Sequence, residues 1–234
     1  ERGVCSFKTY FAYDHLRLDD AETLAVMESL EPLGGTLCVH CENGTLVNEL
    51  QRRVYDEGIH GPEGHPLSRP AECEAEAISR LLYLAHLAGD ARVNVVHLST
   101  KMGLDAIRAA KARGQRNIFV ETCPQYLLLD DTCFLEQGED GLAGLAYVMS
   151  PPPRKPADRA ALREALLAGE IDTIATDHCS FNIHGQKDRG AEDFRKVPNS
   201  GAGVEHRPAL VATTFEGQLG PEDLCRLMSE NPAR

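Results

Sequence analysis

Four runs of apolar, β-branched residues in this chain each end in a side chain that can serve a metal ion. Ser6-Phe7-Lys8 stops at a lysine, Thr36-Leu37-Cys38-Val39-His40 and Val93-Asn94-Val95-Val96-His97 stop at histidines, and Ile171-Asp172-Thr173-Ile174-Ala175-Thr176-Asp177 stops at an aspartate. Two imidazoles, a carboxylate and an amine form an N/O donor set suited to zinc or a similar borderline ion. The lysine is the odd member, because an ammonium group cannot ligate. It joins the set only as a carbamate, formed with carbon dioxide, whose two oxygens can bridge two metals. The chemistry that such a set supports is metal-assisted hydrolysis.

Each of these residues also has a plainer reading. A strand-end histidine is often an ordinary polar terminus, Lys8 an ion-pair partner and Asp177 a cap for a following turn. Their placement at the ends of successive runs is what argues for a shared site. The other seven histidines (His15, His60, His65, His86, His178, His184 and His206) lie in expected loops or helices and read mostly as surface or supporting groups. Cys38-Val39-His40-Cys41 has a CxxC spacing, but strand alternation puts Cys41 on the opposite face from Cys38 and His40. No second CxxC completes a zinc knuckle, so neither that nor a redox pair is expected.

Strands that are hydrophobic along their length and present His or Asp at the C-terminal end are how a (β/α) barrel builds an active site, since all such ends converge on one face. The intervening segments fit. Asp19-Asp20-Ala21-Glu22 opens a helical pattern through Leu24, Met27, Leu30 and Leu33 that Gly34-Gly35 closes. Helices are predicted over residues 45–57, 71–88, 103–113 and 157–168 and from Pro221 onward, with a further strand at 117–121. Residues 58–70 read as a polar loop, 130–150 as a long loop with short pieces of structure, and the stretch through Gly203 as Gly-rich and charged. A complete barrel needs eight strands and five are signalled, so residues 1–234 are expected to form one partial TIM-barrel domain of α/β class.

Composition narrows the partners. Against 36 Asp+Glu stand 24 Lys+Arg, and the net charge of −12 repels nucleic acid and anionic membranes alike. No stretch approaches the roughly 20 apolar residues of a membrane span, and the start of the chain has no signal-peptide pattern, so a cytoplasmic location is expected. The eight cysteines are expected to be reduced thiols, with Cys5, Cys38, Cys123 and Cys225 acting as small hydrophobes.

Several local sequences occur together and in order: Ser6-Phe7-Lys8-Thr9-Tyr10-Phe11-Ala12-Tyr13, Val39-His40-Cys41-Glu42-Asn43-Gly44, Val96-His97-Leu98-Ser99, Glu121-Thr122-Cys123-Pro124-Gln125-Tyr126-Leu127, Ser150-Pro151-Pro152-Pro153-Arg154, Thr176-Asp177-His178-Cys179-Ser180-Phe181 and Val197-Pro198-Asn199. They resemble, essentially end to end, the dihydropyrimidinase and D-hydantoinase branch of the cyclic amidohydrolases. The resemblance implies a (β/α)8 TIM barrel of the metal-dependent hydrolase type, represented here by its later strands, about 4 to 8. The small β-rich domain that the family builds from both termini would be absent.

The resemblance also implies roles. Lys8 would be carboxylated and bridge two zinc ions, His40 and His97 would hold the second zinc, and Asp177 would ligate the first and act as general acid/base. Tyr13 would support the oxyanion, and backbone groups of Ser150 and Asn199 would hold the cyclic amide. The implied activity is hydrolysis of dihydropyrimidines or hydantoins to N-carbamoyl amino acids, a reaction of pyrimidine catabolism, by a homotetramer. The first zinc also requires a His-x-His pair, and none occurs in these 234 residues. The parent protein is therefore expected to extend further at both ends, and this chain alone to be inactive.

Two neighbouring classes compete. Allantoinases and dihydroorotases resemble the same scaffold but usually carry His where this chain has Gln125, and a different tripeptide at His178-Cys179-Ser180. Collapsin response mediator proteins, non-catalytic assembly proteins of the same fold, share a loop like Gly61-Pro62-Glu63-Gly64-His65-Pro66-Leu67-Ser68-Arg69-Pro70 but lack the metal ligands. The presence of Lys8, His40, His97 and Asp177 favours the enzyme.

Overall fold

Period-two alternation along the central strands separates an aliphatic sheet face from a polar one. In the computed structural model, which describes residues 3–233, the strands are β1 (Ser6–Tyr10), β2 (Thr36–His40), β3 (Val93–Val95), β4 (Ile118–Thr122) and β5 (Thr173–Ile174). All pairings are parallel and the strands lie in chain order. Leu37, Val93 and Ile118 stand in register, as do Val39, Val95 and Val120, and all six are buried. The rows between them hold Lys8, Cys38, Asn94 and Phe119. That second face is open: Cys38, Asn94, Phe119, Glu121 and Thr173 line a cleft of about 450 Å³.

Helices cover the aliphatic face. Helices α1 (Asp20–Leu30), α2 (Gly44–Asp56), α3 (Gly64–Leu67), α4 (Ala71–Leu87), α5 (Lys101–Ala112), α6 (Pro124–Leu128), α7 (Pro156–Leu167), α8 (Arg207–Thr214) and α9 (Pro221–Cys225) follow in order. Met27, Ile78, Leu81, Leu82, Leu104, Ile107, Leu162 and Leu166 join the strand aliphatics in one core. This is an α/β partial barrel with a strand, helix, strand rhythm. Local signals set the helix starts: Asp19 and Glu22 form a reciprocal capping box, Asn43 Oδ1 accepts from Leu46 N–H, and Thr100 Oγ1 accepts from Gly103 N–H. Gly34, at φ 64°, provides the left-handed residue that ends the first helical segment.

The predicted elements are present with shifted ends, and three helices were not expected. Helices α6 and α8 each begin with a proline in the first turn, and α3 is a single turn inside the Gly/Pro-rich loop; none is long enough to show helical periodicity. Pro32 turns residues Glu31–Leu33 into a 3-10 helix, which leaves Leu33 exposed rather than in the helical stripe. The seven-residue run ending at Asp177 forms only the two-residue β5, because pairing with β4 stops at Ile174. Residues 130–150 do hold short pieces of structure, packed around a second small core of Cys133, Phe134, Leu145, Val148 and Val197. All eight thiols are free, but of the four expected to be hydrophobes only Cys123 is buried; Cys5 and Cys225 are exposed. Among the described residues no helix is long and apolar enough to cross a membrane.

One close approach fixes the turn after β1. A Cβ on Gly44 would lie 2.8 Å from Ala12 Cα and 2.9 Å from the Phe11 carbonyl oxygen, which itself accepts from Gly44 N–H at 3.1 Å. Alanine favours a helix over glycine by up to about 1 kcal/mol. The clash is with backbone, so Gly44→Ala is expected to destabilise the protein by about 1–3 kcal/mol in urea unfolding. A stabilised variant would show that the turn at residues 11–13 gives way freely.

Candidate active site

The ends of β1, β2 and β3 bring three of the sequence-predicted residues together. His40, the last residue of β2, lies in register with Tyr10 of β1. Its Nδ1 sits 2.9 Å from Nε2 of His97, just past β3, with the ring centroids 4.7 Å apart. Tyr13 leans over His40 at 5.1 Å between centroids and meets Tyr10 edge-on at 5.7 Å. Both histidines are buried. Burial, then the neighbouring His40 and Lys8, lower the His97 pKa well below its ordinary value, so His97 is neutral, and its Nδ1 is buried without a partner. Burial raises the Tyr13 pKa; Glu42 and Asp177 add to this, while Arg69 and the Ser150 hydroxyl oppose it.

The remaining predicted residues stand further out. Lys8 is exposed on β1, one pleat below the Tyr10–His40 row, with Nζ 5.5 Å from the Tyr10 ring centroid. Asp177 is exposed three residues beyond β5. Among the described residues no three His, Cys, Asp or Glu side chains converge as a metal-binding group. Ser150 is buried, with an Oγ that makes no hydrogen bond of standard geometry. Asn199 is exposed, but Ser200 N–H beside it donates to Val148 O at 3.0 Å, so the Ser150 and Asn199 segments are neighbours.

Backbone strain concentrates on the same residues. Tyr13 (φ 66°), His97 (φ 43°) and Asp177 (φ 48°) are left-handed; among the described residues Asp90 is the one other non-glycine with positive φ. Such conformations cost on the order of 1–3 kcal/mol each and persist only where the surroundings impose them.

A buried charge network, unassigned at the sequence level, holds His40 in place. The fully buried Glu42 carboxylate faces His40 Nε2 at 3.0 Å and Arg69 Nη1 at 2.5 Å, with Arg154 Nη2 at 3.8 Å. Burial pushes the Glu42 carboxyl up, but Arg69, His40 and Arg154 together outweigh it and hold the group far below the carboxylate range. Arg154 Nε donates to Ser99 Oγ at 2.9 Å, and Ser99 donates through both N–H and Oγ to Glu74 Oε1. Thr100, the cap of α5, donates its hydroxyl to the other Glu74 oxygen. His65, grouped with surface or supporting histidines, is 1% exposed and donates from Nε2 to Met149 O at 2.7 Å; burial lowers its pKa to about 3. No local pattern distinguishes these buried charges from exposed ones, although Glu42 two residues after His40 is the one available hint.

Glu42→Gln leaves two guanidinium groups buried beside a neutral amide. It is expected to cost about 3–5 kcal/mol in urea unfolding, the scale of a broken buried ion pair. A loss below 1 kcal/mol would mean that solvent reaches Arg69 and Arg154.

No protein-family model matches this chain. It is 39% identical over 236 residues to D-phenylhydantoinase of Escherichia coli O81 (strain ED1a), covering all of this chain and 50% of that protein. D-hydantoinase from Bacillus sp. AR9 superposes with a TM-score of 0.92 at 33% identity, over 99% of this chain and 50% of the other. D-Hydantoinase (dihydropyrimidinase) from Thermus sp. superposes with a TM-score of 0.89 at 38% identity, over 96% and 48%. The chain thus spans about half the length of the relatives it matches, and over that span it is similar in sequence and in fold to D-hydantoinases and dihydropyrimidinases.

Proposed function

We propose that the protein of which this chain forms part hydrolyses the cyclic amide bond of hydantoins and dihydropyrimidines to give N-carbamoyl amino acids. The observation that carries this reading is the buried His40–His97 pair at adjacent strand ends beneath Tyr13, in a chain that is like D-hydantoinases from end to end. The donor chemistry fits a divalent metal. Glu42 engages Nε2 of His40 and leaves Nδ1 turned toward Nε2 of His97, the pattern of a carboxylate orienting a histidine ligand, while His97 is held neutral. In this reading His40 and His97 would hold one zinc ion, Asp177 would serve a second, and Lys8 would contribute as a carbamate.

When bound, the metal supplies a hydroxide at neutral pH and polarises the ring carbonyl. Asp177 would accept a proton from the attacking water and deliver it to the departing ring nitrogen. Tyr13, kept protonated by burial, donates its hydroxyl to the carbonyl oxygen as negative charge develops there. Backbone groups of Ser150 and Asn199 hold the ring amide. The net charge of −12 supports a small cyclic amide as substrate rather than nucleic acid or an anionic membrane, and we place the protein in the cytoplasm as a homotetramer.

The test is ring opening of dihydrouracil and hydantoin by the full-length parent protein. Activity is expected to vanish on chelation and return with zinc, and the rate ratio identifies the preferred ring; bound metal with neither ring opened overturns the reading. In the same protein Lys8→Ala is expected to lose the bridged pair of metals, and two tightly held zinc ions per subunit in that variant would remove Lys8 from the site. Tyr13→Phe is expected to keep its metal and lose about 10²- to 10³-fold in turnover. A near-normal rate would take Tyr13 out of the mechanism.

A further inference from the structure

One buried cation has no part in the reaction described above. Lys187 opens a short 3-10 helix (Lys187–Gly190) and is 2% exposed. Among the described residues no carboxylate is bonded to it; its ammonium donates instead to two backbone carbonyls, Val148 O at 2.8 Å and Ser200 O at 2.9 Å. Burial without a counter-charge lowers its pKa to about 8. An ammonium kept inside a protein in this way is expensive, and an apolar side chain would fill the space at less cost.

Those two carbonyls flank the groups assigned to the ring amide. Val148 lies two residues before Ser150, and Ser200 directly follows Asn199, so a single ammonium ties both segments together. The adjoining acceptors are taken as well: His65 Nε2–H donates to Met149 O at 2.7 Å, and the Tyr126 hydroxyl donates to Pro151 O at 2.8 Å. The Ser150 carbonyl between them receives no hydrogen bond among the described residues. A segment whose neighbouring acceptors are all fixed by buried donors holds its one free acceptor in a single direction, which is the preorganisation that amide recognition needs.

We propose that Lys187 is a positioning residue for the cyclic amide, clamping the Ser150 and Asn199 segments at the spacing the ring requires; this rests on the proposed function. Lys187 acts through backbone and does not touch the ring. Its loss therefore weakens ring binding and leaves the attack on the carbonyl in place.

The experiment is steady-state kinetics on dihydrouracil and hydantoin, with metal content measured in parallel, using full-length wild type, Lys187→Met and Lys187→Arg. Lys187→Met is expected to raise KM about tenfold or more, the scale of one charge-assisted hydrogen bond, with unchanged metal content and kcat within about threefold of wild type. Lys187→Arg, which keeps charge and several donors, is expected to recover part of the KM. If the Met variant is not obtained folded, Lys187→Gln gives the same readout, since its shorter amide cannot span both carbonyls. An unchanged KM in a folded Met or Gln variant overturns the proposal, and so does a joint fall of kcat and bound metal at constant KM. A wild type that opens neither ring removes the functional reading and this proposal together, whereas wild-type turnover with an unchanged variant KM removes this proposal alone.

Discussion

The Glu42 carboxylate is buried completely, and the arrangement of the site depends on how its charge is met. Removing an ion from water costs several kcal/mol even after the surroundings relax. The charge persists because Arg69 and His40 bond to it directly and Arg154 stands close by. Each partner comes from a different part of the chain. His40 ends β2, Arg69 lies just before α4, and Arg154 follows the prolines after Ser150. One carboxylate thereby fixes the ring orientation of a candidate metal ligand and anchors two loops that border the site. Through Arg154, Ser99 and Glu74 the same network reaches Thr100 and the first turn of α5, so helix capping and site geometry share one set of bonds.

Left-handed backbone at Tyr13, His97 and Asp177 shows where that rigidity is used. The turn at Tyr13 is held by Leu16 and Arg17 N–H groups, both donating to its carbonyl. Next to His97, Leu98 N–H donates to Glu121 O at 2.7 Å, which ties the strained residue to β4. Beside Asp177, the Thr176 carbonyl accepts from Gln125 and the Thr176 hydroxyl accepts from His178 N–H. At His97 and Asp177 the conformational cost is met by a bond to a neighbouring element, and at Tyr13 by bonds within its own turn.

The strand ends were legible in the sequence because a hydrophobic run that stops at His, Lys or Asp records burial and exposure in one short pattern. His40, His97 and Tyr13 were found that way or through motif resemblance, and the structure brings the three into contact. Glu42, Arg69 and Arg154 carried no such record. A charged residue normally signals solvent, and the pairing that makes these three tolerable inside the protein joins positions 27 residues apart for Glu42 with Arg69 and 85 apart for Arg69 with Arg154. Short helices escaped for a different reason: α3, α6 and α8 are set by proline and by packing, and do not run long enough to display a period. The exposed Cys5 and Cys225 show the converse limit, since apolar neighbours in sequence do not guarantee cover in space.

The two faces of the sheet divide stability from chemistry. Leu37, Val39, Val93, Val95, Ile118 and Val120 pack against helices and hold the strands in place through aliphatic burial, a force that is non-directional and tolerant of sequence change. The rim has the opposite character, because His40 and the buried groups around it depend on hydrogen bonds and charges whose directions must be met individually. A core change is felt as a loss of stability spread over many contacts, whereas a change at Glu42 costs stability and also frees the ring angle of His40, and one at Lys187 alters a spacing at the rim. That asymmetry explains why buried polar side chains gather at the C-terminal ends of the strands. It is there that the fold keeps charges in its interior at a cost, because the groups they orient must point one way.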